Sequence, residues 1–290
     1  MIDATIPFHL SATDLPNLKK AEALHLPSIA PSLRPELIAR AFGFHTATGF
    51  RQTLQAAPDR EHEIKLSFQT AADFAGSRDL VVSARNIYDI LATTVMVKEA
   101  SRDPEINDMG YGNRYLWPEN RHIRDELDGV PVHMQGNVRS AIWRKRISES
   151  RAKVTDNAKR DGLLHALAYA SRLKKIKATQ QKGSYFLKHR AEETPFRLFG
   201  GVVIGHNYVS NTDMIIAMLH LGFQMNGRSR MLERLNPQFN YSMKSVICMR
   251  RLCPIEFPLA RCRDGAERRA VGSSSGITRR GPHEPSACWA

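Results

Sequence analysis

The stretch LVVSARNIYDILATTVMVKEA, residues 80–100, decides the fold class. Leu80, Ala84, Ile87, Tyr88, Leu91 and Val95 recur at helical spacing, which puts them on one side of a helix and departs from the two-residue alternation of a half-buried strand. The spacing predicts a helix over about 79–100, stopped ahead of Asp103-Pro104. Just upstream, Thr70-Ala-Ala-Asp73 has the form of a capping box and predicts a helix start there.

Working outward toward the N-terminus, Asp14 before Leu15-Pro16 reads as a cap with proline in the first turn. Leu15, Leu18, Ala21 and Leu24 follow at helical spacing until Pro27 and Pro31 intervene. A second helix is predicted over 33–42, with Gly43 as its left-handed terminator, and a third over 46–56. The pair resembles the first half of a helix-turn-helix, but Gly49 stands where an apolar residue would seat a recognition helix, so an ordinary helical hairpin is expected.

Toward the C-terminus, residues 107–131 are rich in Gly, Pro, Asn and charge and read as loop. Helices are then predicted over 137–152 and 156–178. In the latter Leu163, Leu164, Leu167, Ala170, Leu173 and Ile176 face inward, and Lys174, Lys175 and Lys177 occupy the last turn, where cations suit the helix dipole. Phe196 to Ile204 allows a short strand. Ser210-Asn-Thr-Asp213 opens a further helix as a capping box, closing at Gly222.

The expected fold is mainly α: a multi-helix globular assembly with at most a few short strands and a disordered C-terminal tail. The expected units are an N-terminal helical hairpin over 1–60, a central helical region over 61–180 with a basic second half, a motif-bearing helical region over 181–253, and the tail over 254–290. That tail loses apolar periodicity and is dominated by Pro, Arg, Gly and Ser, a composition that would also suit an out-of-frame segment.

The net charge is +13, yet residues 139–190 alone carry 15 Lys and Arg against three Asp and Glu. A charge imbalance confined to one segment points to an anionic partner for that segment. Arg139, Arg144, Lys145, Arg146, Arg172, Lys174, Lys175, Lys177 and Lys188 are the candidate phosphate contacts, because such surfaces gain affinity by charge pairing and counterion release. Trp143, Tyr169, Tyr185 and Phe186 are the few aromatics in the window.

Other chemistry finds little support. The 11 histidines form no H-E-x-x-H pair and no pair with ligand spacing, so no metal is expected. All four cysteines lie in the last 43 residues, at spacings that match no zinc site, and they suit a reducing cytoplasm. Gly200-Gly201 with Gly205, and Gly110-Tyr-Gly112, lack both common phosphate-loop patterns, so no cofactor is expected. The apolar runs are too short to span a bilayer, and neither export nor a membrane partner is expected.

Three ordered motifs stand out. They are Ser184-Tyr-Phe-Leu-Lys-His-Arg-Ala-Glu192, then Tyr208-Val-Ser-Asn211 with Ile216-Ala217 and Gly222-Phe223, then Asn236-Pro-Gln-Phe-Asn-Tyr-Ser-Met-Lys-Ser245. Together they resemble an uncharacterised family carried on bacterial, chiefly proteobacterial, plasmids and integrative mobile elements. The likeness covers about 170–245 and, more loosely, 15–54. This sequence departs from it at Thr212, where similar proteins carry glycine. The family has no established activity, so the resemblance implies a mobile-element context and no reaction.

Read physically, Ser210 or Asn211 caps a helix, Tyr208 and Phe223 pack at its ends, and Asn236 and Asn240 suit turns around Pro237. Tyr185, His189, Glu192, Ser210 and Asn211 form the possible functional motif. Lys188 and Glu192 are helix neighbours with His189 beside them, an arrangement that suits a surface ion pair or, alternatively, proton transfer. The expected function is a non-enzymatic DNA- or RNA-binding accessory protein of a plasmid or mobile element. The alternatives are a hydrolase or nuclease-like enzyme around Lys188, His189 and Glu192, and a scaffold for an acidic protein partner.

Overall fold

The fold was obtained as a computed structural model in which residues 1–119, 122–156, 160–228 and 234–252 are described. Lys159, Cys253, Cys262, Cys288 and the expected tail lie outside the described residues. Eleven helices are present among the described residues: α1 Leu15–His25, α2 Arg34–Ala41, α3 Ala47–Gln55, α4 Phe68–Gly76, α5 Ala84–Arg102, α6 Arg124–Leu127, α7 Val132–Asp156, α8 Asp161–Ser171, α9 Ser184–Glu192, α10 Asn211–His220 and α11 Met243–Leu252. The strands are short: β1 Ile2–Ala4, β2 Phe8–Leu10, β3 His62–Ile64, β4 Ile106–Asn107, β5 Gly110–Tyr111, β6 Phe196–Leu198 and β7 Val203–Ile204. The mainly helical class is as the sequence predicts.

Helix α5 runs through the middle. The sequence marks one apolar stripe on it, but Ile87, Tyr88, Ile90, Leu91, Ala92, Val95 and even Thr93, Thr94, Lys98 and Glu99 are buried. It is covered on several sides, by α1, α7, α8 and α10. Helix α8 is likewise buried at every position from Leu163 to Ala170. A helix that is apolar around its circumference belongs at the centre of a fold rather than on its rim.

Three small sheets tie distant parts of the chain together. β1 pairs in parallel with β6, Ile2 opposite Phe196, and β7 joins the other edge of β6 antiparallel. β2 and β3 pair antiparallel, and β4 and β5 form a tight hairpin. One continuous buried cluster extends from Ile2 to Met249, crossing the expected boundaries at 60 and 180 without interruption.

Several expectations about ends are corrected. Helix α5 begins at Ala84 with Ser83 as its cap, the Ser83 and Asn86 side chains each bonding the other's backbone N–H. Thr70 lies inside α4, which starts after Ser67, whose own amide donates to the Ala41 carbonyl at 2.8 Å. The loop expected over 107–131 contains the second strand of a hairpin and a short helix. α7 begins five residues earlier than predicted, immediately after Pro131, which suits a first helical turn. The predicted helix over 156–178 is cut to Asp161–Ser171, so Lys174, Lys175 and Lys177 are not helical. The hairpin of α2 and α3 forms with Gly43 at φ +79°, and Phe50 packs on Phe42 and Phe44 with ring centroids 5.4 and 5.2 Å apart.

Two buried charges on this frame bear on stability. The Lys98 ammonium donates to the His9 carbonyl at 2.7 Å and pairs with Glu61 at 2.9 Å and Asp14 at 3.6 Å, joining α5 to β2. Burial by itself would raise Glu61, but hydrogen bonds and charge from Lys98 and Arg102 hold its carboxyl at about 2. Glu22 on α1 is buried without such help, in the wall of a cavity of about 420 Å³ between α1 and α3. Desolvation pushes its carboxyl up to about 7 against the pull of Arg51, Arg34 and Lys19.

Candidate functional site

The basic segment does not form one face. Its first part lies on α7, several of whose polar side chains bond to the segment 100–113. The Arg151 guanidinium donates to the Ala100 and Pro104 carbonyls at 3.1 and 2.9 Å. Lys153 pairs with Asp108 at 3.5 Å and Lys145 with Glu149 at 3.9 Å. Arg146 helps line a cavity of about 350 Å³ with Trp117, His122 and Glu149. Arg144 is exposed and Arg139 half-buried. Arg160 belongs to the interior, only 1% exposed, with its guanidinium donating to Thr93 Oγ1 at 2.9 Å.

The second part of the basic segment is a loop, residues 172–183, and the third sequence motif is its anchor. The Ile176 amide donates to the Asn240 carbonyl at 2.9 Å, the Gln180 amide to Phe239 at 2.9 Å, the Ser184 amide to Pro237 at 2.9 Å, and the Ser242 amide to Lys174 at 2.8 Å. Side chains complete the clamp: Asn240 Nδ2 donates to the Ile176 carbonyl at 2.8 Å, Tyr241 to Lys182 at 3.0 Å, and Gln238 to Gln181 at 2.7 Å. A Cβ on Gly183 would lie 2.6 Å from the Asn236 carbonyl oxygen, so only glycine lets the two segments approach this closely. The helix predicted through Lys177 stops because these backbone groups pair with 237–242 instead.

With the backbone turned inward, the lysines point out. Lys174, Lys175, Lys177 and Lys182 are exposed, as is Lys244 on α11. Among the described residues none of these five has a carboxylate within 4.0 Å. Arg172 is half-buried at the head of the loop.

The other two motifs meet at the far end of this loop. Ser210 caps α10 in a capping box with Asp213, Ser210 Oγ donating to Asp213 Oδ2 at 2.7 Å, as predicted. Asn211 does something the sequence did not disclose. Its Oδ1 accepts from Ser184 Oγ at 2.7 Å and its Nδ2 donates to the Leu235 carbonyl at 2.7 Å, so it joins the first two motifs to the residue just ahead of the third. Gly110, at φ +142°, leaves room for that amide: a Cβ there would lie 2.3 Å from Asn211 Nδ2.

Lys188 is only 5% exposed, which corrects its expected place among the phosphate contacts. Its ammonium lies over the rings of Tyr185 and Tyr208, 5.1 and 4.8 Å from their centroids, and reaches the Val209 carbonyl at 3.4 Å and Glu192 at 3.5 Å. Glu192 also accepts from the Val209 amide at 3.1 Å, and its second oxygen pairs with His189 Nδ1 at 2.8 Å. Both Glu192 oxygens are thus engaged, Oε1 joining α9 to Val209 and Oε2 pairing within α9. The Tyr208 ring, expected to pack at the end of α10, is 73% exposed, while Phe223 is buried as expected. Tyr185 is 52% exposed, its ring edge to face with His189 at 4.6 Å.

Beside Tyr208, between the N-terminal ends of α8 and α10 and the last turns of α7, lies a cavity of about 370 Å³ lined by Met96, Lys153, Asn207, Ser210 and Asp213 among others. Burial raises the Asp213 carboxyl, opposed by its hydrogen bonds from Ser210 and by Arg160. Tyr208 and Asp213 were visible in the sequence as motif and cap. Their convergence with Lys153 depends on contacts between helices far apart in the chain. Among the described residues no group of three or more His, Cys, Asp or Glu side chains could hold a metal ion, and no helix is long and apolar enough to cross a membrane.

Compared with protein-family models, with curated proteins and with solved structures, the chain matches none of them.

Proposed function

We propose that this protein is a non-enzymatic nucleic-acid-binding accessory protein of a plasmid or mobile element, contacting phosphates through the loop that bears Lys174, Lys175, Lys177 and Lys182. The observation that carries this reading is the clamped lysine loop. Its exposed ammonium groups lack acidic partners among the described residues, while its backbone is fixed by 237–242. Holding the loop in one shape reduces the ordering cost of binding, and unneutralised cations gain most from a polyanion. The mobile-element context rests on the motif resemblance alone.

The α7 cations are a weaker part of the reading, since Arg151, Lys153 and Lys145 already have partners within the chain. The hydrolase alternative around Lys188, His189 and Glu192 draws less support, because Glu192 is taken up by Lys188, His189 and a backbone amide.

The test is binding of duplex DNA, single-stranded DNA and RNA across a salt series, for the wild type and for a Lys174→Glu, Lys175→Glu, Lys177→Glu triple variant. The variant should bind every sequence more weakly, because phosphate contacts carry no base identity. Its salt dependence on duplex DNA should flatten by about 0.9 slope units for each phosphate that the variant no longer neutralises. Unchanged affinity and slope would remove this function from the loop. An acidic protein bound through these lysines, with no nucleic acid bound, would favour a scaffold.

A further inference from the structure

The lysine loop does not end in solvent. At one end Lys175 lies over the Phe223 ring, 5.6 Å from its centroid, just past the C-terminus of α10. At the other end Ser184 is hydrogen-bonded to Asn211 in the first turn of α10. The loop therefore runs alongside α10 for its full length, about 15 Å for ten residues at 1.5 Å rise. Its last exposed lysine, Lys182, is three positions before Tyr185.

There the surface changes character. Tyr185 and Tyr208 are 52% and 73% exposed, and both rings lie within about 5 Å of the single buried ammonium of Lys188. The Lys188 ammonium lies over both rings, and it pairs with Glu192 at 3.5 Å. Apart from His189 against Tyr185 and the ammonium they share, the rings are left open to solvent. A ring pair at the end of a basic track is the arrangement that unpaired bases use, with the backbone following the cations and bases stacking on the rings.

We infer that Tyr185 and Tyr208 form a base-stacking platform, and that the partner of the lysine loop is single-stranded nucleic acid. This rests on the nucleic-acid reading of the loop and narrows it. A strand lying along the loop would place its phosphates beside the lysines before its next bases reach the tyrosines. Duplex DNA, its bases stacked on one another, offers the rings nothing.

The experiment measures binding of a short oligothymidylate, an oligouridylate, an abasic oligodeoxynucleotide of equal length and a duplex. The proteins are the wild type, Tyr185→Ala, Tyr208→Ala, the two Phe counterparts and the lysine triple variant. Each alanine variant should bind the oligothymidylate and oligouridylate about 5- to 150-fold more weakly, the range for losing one stacked base. Each should bind the abasic strand and the duplex as the wild type does, and the Phe variants should retain affinity for the single strands.

Several outcomes overturn the platform: a wild type that favours duplex or treats abasic and base-bearing strands alike, alanine variants that lose all four probes equally, or alanine variants that lose none. If the lysine variant still loses every probe in those cases, the loop reading stands and only the platform fails. If the lysine variant loses nothing, the loop reading itself has failed. Near-identical urea midpoints for the Phe and Ala variants keep misfolding out of the comparison.

Discussion

Asn240→Ala tests whether the third motif exists to hold the lysine loop. Asn240 is 7% exposed, and its side chain makes two hydrogen bonds to backbone: Oδ1 accepts the Gln224 amide at 2.6 Å and Nδ2 donates to the Ile176 carbonyl at 2.8 Å. Alanine leaves one N–H and one C=O without partners, and each orphaned group costs about 1–3 kcal/mol. Both bonds are only partly buried, so water can reach the vacated groups, and the lower end applies, about 2–3 kcal/mol in all.

Urea unfolding should show that loss with an unchanged m-value. Hydrogen exchange should localise it, because the Ile176 amide bonds to the Asn240 carbonyl and the Gln180 amide to Phe239. Both amides should exchange faster, while amides in the middle of α8 should change only by the global loss. No lysine is altered, so any weakening of nucleic-acid binding would report the shape of the loop alone. A cost under about 0.5 kcal/mol with unchanged protection at Ile176 would show that Asn240 does not hold the loop, within the ordinary range for neutral surface changes.

Asn211→Ala should cost more than a lost cap, about 2–4 kcal/mol in urea unfolding, because it strips partners from both Ser184 and the Leu235 carbonyl, whereas Ser210→Ala alone should cost about 1 kcal/mol. Equal costs would mean that Asn211 acts only at the helix end. Glu22→Gln gives a pH signature. The Glu22 carboxyl is raised from 4.5 to about 7, so it holds its proton more tightly folded than unfolded. The stability it contributes is fully present below about 4.5 and is lost as the pH rises through about 7. The glutamine variant should match the wild type near the low end and exceed it above the high end, by up to about 3 kcal/mol from about 1.4 kcal/mol per pH unit. Melting curves with no such crossover would mean that water reaches Glu22.

Local signals carried much of the fold. Ser210 with Asp213, Pro16 in the first turn of α1 and Gly43 after α2 are cap and stop features whose chemistry acts within four residues, so the sequence discloses them directly. The apolar stripe of α5 likewise announced a helix, though not that nearly its whole circumference would be buried. Lys174, Lys175 and Lys177 show the opposite case. Their stretch has good helix formers and inward apolar spacing, and local propensity alone extends α8 through it. Pairing with 237–242, some sixty residues on, supplies the same backbone hydrogen bonds from outside and ends the helix at Ser171.

The candidate site divides the same way. The sequence determined that the chain is mainly helical and that positive charge concentrates in 139–190. Only the tertiary structure decided that the charge splits between α7 and a clamped loop, that Lys188 is buried against two exposed tyrosines, and that Asn211 joins the first two motifs. Charge content and cap patterns are properties of neighbouring residues, whereas exposure and convergence depend on which distant backbone groups find each other.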